Sequence, residues 1–235
     1  MAVLASRAMR VGAVVQARMS SSRLPGKVLA PVAGRPLLAL LLERLAFCDA
    51  LDAVVVATSD DPSDDVLARW CAAEGVGVHR GPLDDVVERM LGAARSRELD
   101  GLVRICADSP LIDPALVRLA VERLREGSAD LVSNVVPPRT YPPGQSVEAM
   151  GANALAEALP LMDHPGDHEH VTPALYRHPE RFRIVALRAD PPCADRRMVV
   201  DTADDLAALR ALVARMSRPQ AEHGLDELMA LAGAA

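Results

Sequence analysis

The sequence predicts an α/β fold in which helices flank a mostly parallel, mixed sheet, and two observations lead to this prediction. Short apolar runs of strand length alternate with longer segments of helical apolar spacing over about the first 130 residues. Half of the 235 residues are hydrophobic but only 2% are aromatic, so Leu, Val and Ala must form the core. Such a core is typical of helices packed on a parallel sheet with right-handed crossovers.

Five strands and four helices make up this alternating region. The strands are short apolar runs at 11–16, 52–58, 76–79, 102–106 and 130–133. The helices lie at 36–47, 63–74, 84–97 and 114–126. Pro36 suits a first helical turn, and Gly75 and Gly127 follow their helices as stop signals.

The pattern changes after about residue 135, where the proline-rich run 137–144 predicts a turn or an excursion. Beyond it we expect strands at 147–150, 182–187 and 198–200, helices at 152–159, 168–176 and 203–216, and a loose helix at the C-terminus. This organisation predicts an N-terminal extension at 1–10, one main domain at 11–216 and a C-terminal tail at 217–235. A small inserted lobe at about 135–190 would bind substrate or mediate dimerisation.

Charge, cysteine content and hydropathy exclude several classes of protein. A net charge of −6 and a pI of about 5.5 argue against a general nucleic-acid binder, and the few aromatic residues argue against a stacking platform. The four cysteines are widely spaced and form no CxxC pair, which favours reduced thiols in a cytoplasmic protein. No apolar run is long enough for a membrane span or typical of a signal peptide.

Lys27 is the only lysine among 26 basic residues, and it closes the loop QARMSSSRLPGK at 16–27, directly after the first strand. Lysine is a compact, rotatable charge whereas arginine is a planar fork, so a loop that wraps a polyphosphate has a use for lysine. The alternative interpretation is that Lys27 has no special role, and that the strong preference of this chain for arginine left one lysine by chance. The loop lacks the spacing of a Walker P-loop, which excludes the P-loop and kinase classes.

Other polar side chains follow the remaining strands at the edge where open α/β sheets bind ligands. Thr58, Ser59 and Asp60 follow the second strand, Asp108 follows the fourth, and Asp201 follows the late strand. Separated carboxylates facing a basic loop are what a nucleotide–magnesium complex requires, because Mg²⁺ takes one or two carboxylates plus phosphate oxygens.

Each of these features also has an ordinary structural interpretation. Arg18 and Arg23 could be surface charges, Asp108 could cap a turn, and Asp201 could cap the closing helix as well as bind a metal. For Asp61 and Asp64 we favour the cap of a helix N-terminus. The run His168-Glu169-His170 lacks the HExxH spacing of zinc sites, and the start of a helix is the better interpretation.

The loop at 16–27, followed by GRPLL at 34–38, resembles the opening of cytidylyltransferases of the spore-coat polysaccharide type. That family is related to the CMP-KDO and CMP-acylneuraminate synthetases. The likeness continues, in order, through VVVATSDDPSDD, HRGPLDDVVERM, VRICADSPLIDP, SNVVPPRTYPPG, HEHVTPALY and VDTADDL, and covers about residues 11–215. It implies a nucleotide-diphospho-sugar transferase-like fold, a cytidylyltransferase domain at 11–216, and Mg²⁺-dependent transfer of CMP from CTP.

The resemblance also implies roles for individual residues. The catalytic set would be Lys27, Arg18, Arg23 and Asp108, with the three basic residues on the triphosphate. The residues that bind the nucleotide would be Ala17, Arg18, Ser22, Arg23, Lys27, Thr58, Asp60, Arg80, Gly81 and Asp108. Asp108 and Asp201 would hold Mg²⁺. The residues near the acceptor, or near a dimer interface, would be Arg139, Ser146, Glu148 and His170.

Two departures from the family pattern stand out. The family often has TGDCPL where this chain has CADSPL at 106–111, and the aspartate, Asp108, is kept. The family often has GLDVE where this chain has GQSVE at 144–148, so Ser146 replaces an acidic residue. Loss of a carboxylate would suit a more anionic acceptor, because like charges in one site repel.

The expected function is therefore transfer of CMP from CTP to a small acidic acceptor, with release of pyrophosphate. The acceptor could be an ulosonic or nonulosonic sugar acid or a phosphonate, and the expected assembly is a homodimer. A nucleotide-sugar-dependent glycosyltransferase is the first alternative, but no DxD sequence lies near the fourth strand. A non-catalytic nucleotide-binding relative is the second, and the presence of both Lys27 and Asp108 argues against it.

Overall fold

The structure, a computed structural model, describes residues 7–233. Its strands are β1 Val11–Gln16, β2 Pro31–Val32, β3 Arg35–Pro36, β4 Ala53–Ser59, β5 Gly77–Gly81, β6 Gly101–Cys106, β7 Leu131–Ser133, β8 Glu148–Gly151 and β9 Ile184–Ala186. Its α-helices are α1 Leu37–Ala46, α2 Asp65–Ala73, α3 Val86–Ser96, α4 Pro114–Arg125, α5 Ala152–Ala158, α6 Asp167–His170, α7 Pro173–Arg177, α8 Ala203–Ala214 and α9 Leu225–Gly233.

Seven of the strands form one mixed sheet in the order β5-β4-β1-β6-β8-β7-β9. The four strands β5, β4, β1 and β6 are parallel, β8 is antiparallel to both of its neighbours, and β9 is parallel to β7. The prediction of a mostly parallel, mixed sheet is confirmed. Because β1 lies between β4 and β6, the basic loop that follows β1 emerges at the middle of the edge where ligands bind.

Apolar side chains on the two faces of the sheet build two layers of core. Ala13 and Val15 of β1 face one layer, which also contains Leu41 of α1 and Val117 of α4. Val14 faces the other layer, with side chains from α3, α5 and α7. The alternation along β1 is the two-residue period of a strand, and burial on both faces explains why its sequence is apolar throughout.

A third apolar cluster joins the C-terminal helices to the sheet domain. Leu209 of α8 and Leu228 of α9 pack with Leu37 and Leu40 of α1. The described part of the predicted tail, residues 217–233, is therefore packed against the domain.

A buried arginine on α1 also links these parts of the chain. Arg44 is fully buried, and its guanidinium donates to the carbonyls of Ile112, Gln220 and His223. Burial lowers the pKa of Arg44 to about 10, against the opposing charges of Asp113 and Glu43. Two of the three acceptors lie beyond residue 216, so this contact depends on the C-terminal segment.

Two local predictions were wrong, and one hairpin was not predicted. Residues 198–200 form no strand, because their backbone makes single hydrogen bonds to two separate segments: Met198 N to Pro143 O and Val200 N to Asp108 O, both 2.8 Å. The helix predicted at 168–176 is two short helices, broken at Val171, whose φ is 72°. The hairpin of β2 and β3 was missed, since its strands are only two residues long.

None of the helices in the region from residue 7 to residue 233 has the length and apolar character needed to cross a membrane.

Candidate active site

A cavity of about 300 Å³ opens where β1 and β6 end, beneath the basic loop. The residues that line it are Gln16, Ala17, Arg18, Ser20, Ser21, Ser22, Arg23, Lys27, Val28, Cys106, Ala107, Asp108, Glu169 and Asp201. The fold thus brings together most of the residues expected to bind the triphosphate and both expected metal ligands.

Lys27 lies at the centre of this cavity and is nearly buried. It begins a short 3-10 turn after Gly26, whose φ of 74° favours glycine at this bend. Its Nζ donates to Asp108 Oδ2 at 3.0 Å, Asp201 Oδ1 at 3.0 Å and Val200 O at 2.8 Å. All three ammonium donors are used, which a side chain with a single rotatable point charge can achieve.

The Asp201 carboxylate forms ion pairs with two further basic side chains in addition to Lys27. Arg23 Nη2 lies 2.8 Å from its Oδ1, and Arg197 Nη2 lies 2.8 Å from its Oδ2. Burial acts to raise the pKa of Asp201, but the hydrogen bonds and charges of Lys27, Arg197 and Arg23 outweigh it and lower the pKa. Asp201 is therefore an ionised carboxylate in a strongly basic setting.

The first turn of α8 holds Asp201 in position. Thr202 caps this helix in a capping box with Asp205: Thr202 Oγ1 accepts from Asp205 N at 3.2 Å. Asp205 Oδ2 in return accepts from the backbone N–H groups of Asp201 and Thr202, each at 2.9 Å. The cap is made by Thr202, which leaves the Asp201 carboxylate free to face the cavity.

The two carboxylates fit a divalent cation. Asp108 and Asp201 both approach one point, the Nζ of Lys27, at 3.0 Å, so their oxygens already converge on a positive charge. The described residues contain no group of three or more His, Cys, Asp or Glu side chains that could hold a metal. Two carboxylates are nevertheless enough for Mg²⁺, which commonly completes its shell with phosphate oxygens and water.

Asp64 stands at the N-cap position of α2, as predicted, but its side chain makes no capping hydrogen bond and anchors the basic loop instead. Its fully buried carboxylate accepts from Met19 N at 2.6 Å and from Ser59 N at 3.1 Å, as well as from the Ser59 hydroxyl. It therefore ties the loop after β1 to the end of β4. The prediction for Asp61 is confirmed, since Asp61 Oδ1 accepts from Ser63 N at 2.8 Å.

The expected nucleotide residues at the ends of β4 and β5 do not line this cavity. Arg80 braces the strand ends, with Nε donating to Ser59 O at 2.9 Å and Nη2 donating to Asp61 O at 3.0 Å. Asp60 N donates to Gly81 O at 2.8 Å. Thr58 is fully buried, and its hydroxyl has no hydrogen-bond partner among the described residues.

A smaller cavity of about 220 Å³ continues from Arg18 toward α3 and α6. Arg89 of α3, which was not predicted as a site residue, holds the loop at residues 82–83 beside this smaller cavity. The fully buried Arg89 donates through Nη1 to the carbonyls of Pro82 and Leu83, and Leu83 lines this second cavity. A Cβ at Gly81 would come within 3.0 Å of Arg89 Cγ, which explains why glycine suits this position.

Glu148 belongs to a buried network. Its Oε2 accepts from Arg104 Nη1 at 2.7 Å, and its Oε1 accepts from the hydroxyls of Thr172 and Tyr176, both at 2.7 Å. Arg104 also donates to Gln16 Oε1 at 3.2 Å, and Gln16 lines the main cavity. The sequence contained a signal for this network that was missed: a charged residue in the middle of the apolar strand LVRIC.

The other expected acceptor residues lie in two different places. Arg139 donates to Ser146 Oγ at 2.8 Å, so these two are in contact. His170 is exposed on the short helix α6 and lines neither cavity. Its neighbour Glu169, which had been overlooked, lines both cavities and lies 3.4 Å from Arg18 Nη2.

A mostly parallel, mixed sheet with a basic loop and two convergent carboxylates at its ligand-binding edge is the architecture of nucleotidyltransferases of the nucleotide-diphospho-sugar transferase type. A sequence profile described as Cytidylyltransferase matches residues 13–220. The chain belongs to the cytidylyltransferase family, and it is a CTP-dependent nucleotidyltransferase.

Known proteins resemble the chain over most of its length. It is 31% identical to the spore coat polysaccharide biosynthesis protein SpsF of Bacillus subtilis, covering 85% of this chain and 84% of SpsF. A cytidylyltransferase structure from Leptospira borgpetersenii is 29% identical, with a TM-score of 0.89, covering 96% of this chain and 94% of that one. A CMP:2-keto-3-deoxy-manno-octonic acid synthetase, solved in complex with CTP, shares the fold at 20% identity and a TM-score of 0.68, with 88% and 99% covered.

Proposed function

We propose that this enzyme transfers CMP from CTP to a small anionic acceptor, an ulosonic or nonulosonic sugar acid or a phosphonate, and releases pyrophosphate. The observation that carries the proposal is the convergence of Lys27, Asp108 and Asp201 below the basic loop. Membership of the cytidylyltransferase family supports CTP as the donor. We also propose that the metal is Mg²⁺ and that the protein is a cytoplasmic homodimer. Its cytidylyltransferase domain would span residues 11–216 and include a lobe for substrate binding or dimerisation at about 135–190.

In this reaction an oxygen of the acceptor attacks the α-phosphorus of CTP in line. The bond from the α-phosphorus to the bridging oxygen breaks, and pyrophosphate leaves with the electron pair. Arg18 and Arg23 bind the phosphates and neutralise the charge that grows on the leaving group. Lys27, which now donates to Asp108 and Asp201, would turn to the phosphates when Mg²⁺ takes over those two carboxylates. Mg²⁺, held by Asp108 and Asp201, would supply further positive charge beside the phosphate oxygens.

Binding of the triphosphate requires the basic side chains to leave their present partners. Arg18 is paired with Glu169 at 3.4 Å on the surface, and Arg23 is well exposed beside Asp201. Exposed ion pairs contribute only about 0–1 kcal/mol, so Arg18 can exchange Glu169 for a phosphate at low cost. Asp201 keeps Lys27 and Arg197 as partners when Arg23 turns to the phosphates. The loop backbone stays anchored by Asp64, so these side chains move while the loop keeps its position.

The acceptor would lie beyond Asp108, on the side of the cavity that β8 approaches. Arg139 and Ser146 would contact it, and Glu148 would orient Arg104 and Tyr176 below it. His170 would act at the entrance or in a dimer contact, since it is exposed.

The test measures pyrophosphate release from each of the four nucleoside triphosphates, with Mg²⁺, against a panel of sugar acids and phosphonates. We expect release with CTP and an acidic acceptor. Asp108→Asn and Asp201→Asn keep the side-chain size but lose the charge that holds Mg²⁺, so both should lose turnover. Preference for another nucleotide, or near-normal turnover of both variants at limiting Mg²⁺, would contradict the proposal.

A further inference from the structure

Glu169 is a carboxylate of the main cavity that the proposed reaction leaves without a chemical role. Among residues 7–233, three carboxylates line this cavity: Asp108, Asp201 and Glu169. The first two are the expected metal ligands. Glu169 projects from α6 with its side chain 53% exposed, and in the described part of the chain its carboxylate has one partner, Arg18 Nη2 at 3.4 Å. No structural contact would therefore occupy this carboxylate once Arg18 turns to a phosphate.

The fold fixes the position of α6, and with it the place of Glu169 over the cavity. Arg177 donates through Nη1 and Nη2 to the buried carboxylate of Asp167, at 3.0 Å and 2.6 Å. His168 Nδ1 lies 3.0 Å from Asp85 Oδ2, which joins α6 to the start of α3. The short helix is thus held by contacts on both sides of the chain direction, while the Glu169 side chain remains free to face the cavity.

The segment after α6 connects Glu169 to the side of the cavity that β8 approaches. Thr172, three residues after Glu169, donates its hydroxyl to Glu148 Oε1 at 2.7 Å. Glu148 begins β8 and accepts from Arg104, which also donates to Gln16 on the cavity wall. Glu169 therefore stands near the side where the acceptor is proposed to lie.

The other groups on the cavity wall are poor proton acceptors. Lys27, Arg18 and Arg23 are cations, and the serine hydroxyls at 20–22 carry their protons near neutral pH. Burial raises the pKa of the Cys106 thiol, so this group also stays protonated. Beside the expected metal ligands, the carboxylate of Glu169 is the group among the described residues of this wall that is suited to accept a proton.

The charge of Glu169 also argues for a role in the chemistry. A carboxylate beside a bound triphosphate repels it, so a residue that served nucleotide binding alone would be neutral or basic. When Arg18 exchanges Glu169 for a phosphate, the carboxylate is released at the moment when CTP is in place. Nucleotide binding would thus free a proton acceptor next to the reacting phosphate.

From these observations we infer that Glu169 is the general base of the reaction, and that the acceptor reacts through a hydroxyl group of a sugar acid. Glu169 takes the hydroxyl proton as the acceptor oxygen forms its bond to the α-phosphorus. The bond from the α-phosphorus to the bridging oxygen breaks, and pyrophosphate leaves with the electron pair. Glu169 then passes its proton to water. The inference rests on the proposed function, because it assigns the base and the acceptor class of the same reaction.

The first experiment compares Glu169→Gln with the wild type, since the amide keeps the size of the side chain but accepts no proton. The probes are 3-deoxy-octulosonate and N-acetylneuraminate, which react through a hydroxyl, and 2-aminoethylphosphonate, whose phosphonate oxygens are already ionised near neutral pH. With CTP and Mg²⁺, we expect Glu169→Gln to lower kcat with the sugar acids by roughly a hundred- to ten-thousandfold. Any turnover of the phosphonate should be unaffected.

The binding of CTP supplies a readout that does not depend on turnover. The Kd of Glu169→Gln for CTP should be unchanged or lower, because a negative charge beside the phosphates is removed. A merely structural role of Glu169 would instead weaken CTP binding and lower the midpoint of thermal unfolding. Glu157→Gln, which changes an exposed glutamate on α5, is the matched control and should keep the wild-type kcat and Kd.

Chemical rescue tests the base directly. Glu169→Ala leaves a space that formate, a small carboxylate, can fill, so its turnover of sugar acids should rise with the concentration of formate. Glu169→Gln keeps that space filled and should not respond. Chloride at the same ionic strength is the control for salt effects.

Four outcomes would overturn the inference: a near-normal kcat of Glu169→Gln with sugar acids, an equal loss with sugar acids and with the phosphonate, no response of Glu169→Ala to formate, or a wild-type protein that turns over neither sugar acid. Failure of the proposed function is recognised separately, by thermal shift. In that case the wild-type protein would not be stabilised more by Mg²⁺ and CTP than by Mg²⁺ and the other nucleotides.

Discussion

Lys27 donates at the same time to two carboxylates and a carbonyl that lie more than 80 positions further along the chain. Its surroundings explain why a chain that otherwise uses arginine has a lysine here. A compact ammonium can sit at the point where Asp108, Asp201 and Val200 converge, whereas a planar guanidinium must spread its donors apart.

We expect Lys27→Ala to lower the rate of pyrophosphate release by roughly thirty- to thousandfold, which corresponds to about 2–4 kcal/mol of transition-state stabilisation. Lys27→Arg should bind CTP with a modest loss and still turn over poorly, because the larger fork does not fit the same point. Steady-state kinetics and CTP titration measure the two effects separately. Arg210→Ala on the exposed face of α8 is the control, and a wild-type rate for Lys27→Arg would mean that charge alone suffices.

At the scale of elements, the N-terminus of α8 connects stability to the active site. Asp205 completes the capping box and accepts from Asp201 N, so it sets the backbone of the expected metal ligand. Burial acts to raise the pKa of Asp205, but hydrogen bonds from the backbone of Asp201, from Arg197 and from Thr202 lower it to about 2. The folded state therefore favours the ionised form.

A carboxyl whose pKa is lower in the folded state stabilises the protein above its unfolded pKa, and this contribution is lost as pH falls through the folded value. Asp205→Asn should therefore lower the free energy of unfolding by roughly 2 kcal/mol near neutral pH and flatten its decline between about pH 4 and pH 2. Denaturant unfolding at a series of pH values measures both effects. Asp204→Asn, an exposed change in the same turn, is the matched control, and identical curves for the two variants would contradict this role of Asp205.

At the scale of the whole molecule, the C-terminal segment of the chain contacts helix α1 near its start. The C-terminal helix α9 contributes Leu228 to the apolar cluster that contains Leu37 and Leu40 of α1, and Arg44 of α1 donates to carbonyls of the same C-terminal segment. The segment therefore supports the helix that lies behind the active-site loop.

Leu228→Ala should cost about 2–5 kcal/mol in the free energy of unfolding, because Leu228 is fully buried in the cluster that joins the C-terminal helices to the domain. The expected loss is visible in thermal or denaturant unfolding, without a change in the KM for CTP. Ala230→Ser, on the exposed face of the same helix, should change stability by less than about 0.5 kcal/mol. A loose tail would instead leave Leu228→Ala as stable as the wild type.

Local patterns in the sequence were sufficient for much of the fold. Apolar runs with a period of two or of 3.6 depend only on neighbouring residues, and they located β1 and α4 almost to the residue. They failed at residues 198–200, where an apolar run lacks strand partners, and at Val171, where a positive φ interrupts a helical pattern. At residues 198–200, hydrogen bonds to two distant segments determined the backbone.

The sequence by itself determined the class of fold, the basic loop and the identity of the polar residues that follow the strands, because each of these is encoded locally. The tertiary structure decided which of those residues meet. Asp201 lies 174 positions from Lys27 and yet hydrogen-bonds to it, Glu148 pairs with Arg104, and Asp64 anchors the loop instead of capping a helix. The physical reason is that a buried charge must find a partner wherever strand order and register bring one within reach, and separation along the chain does not reveal that distance.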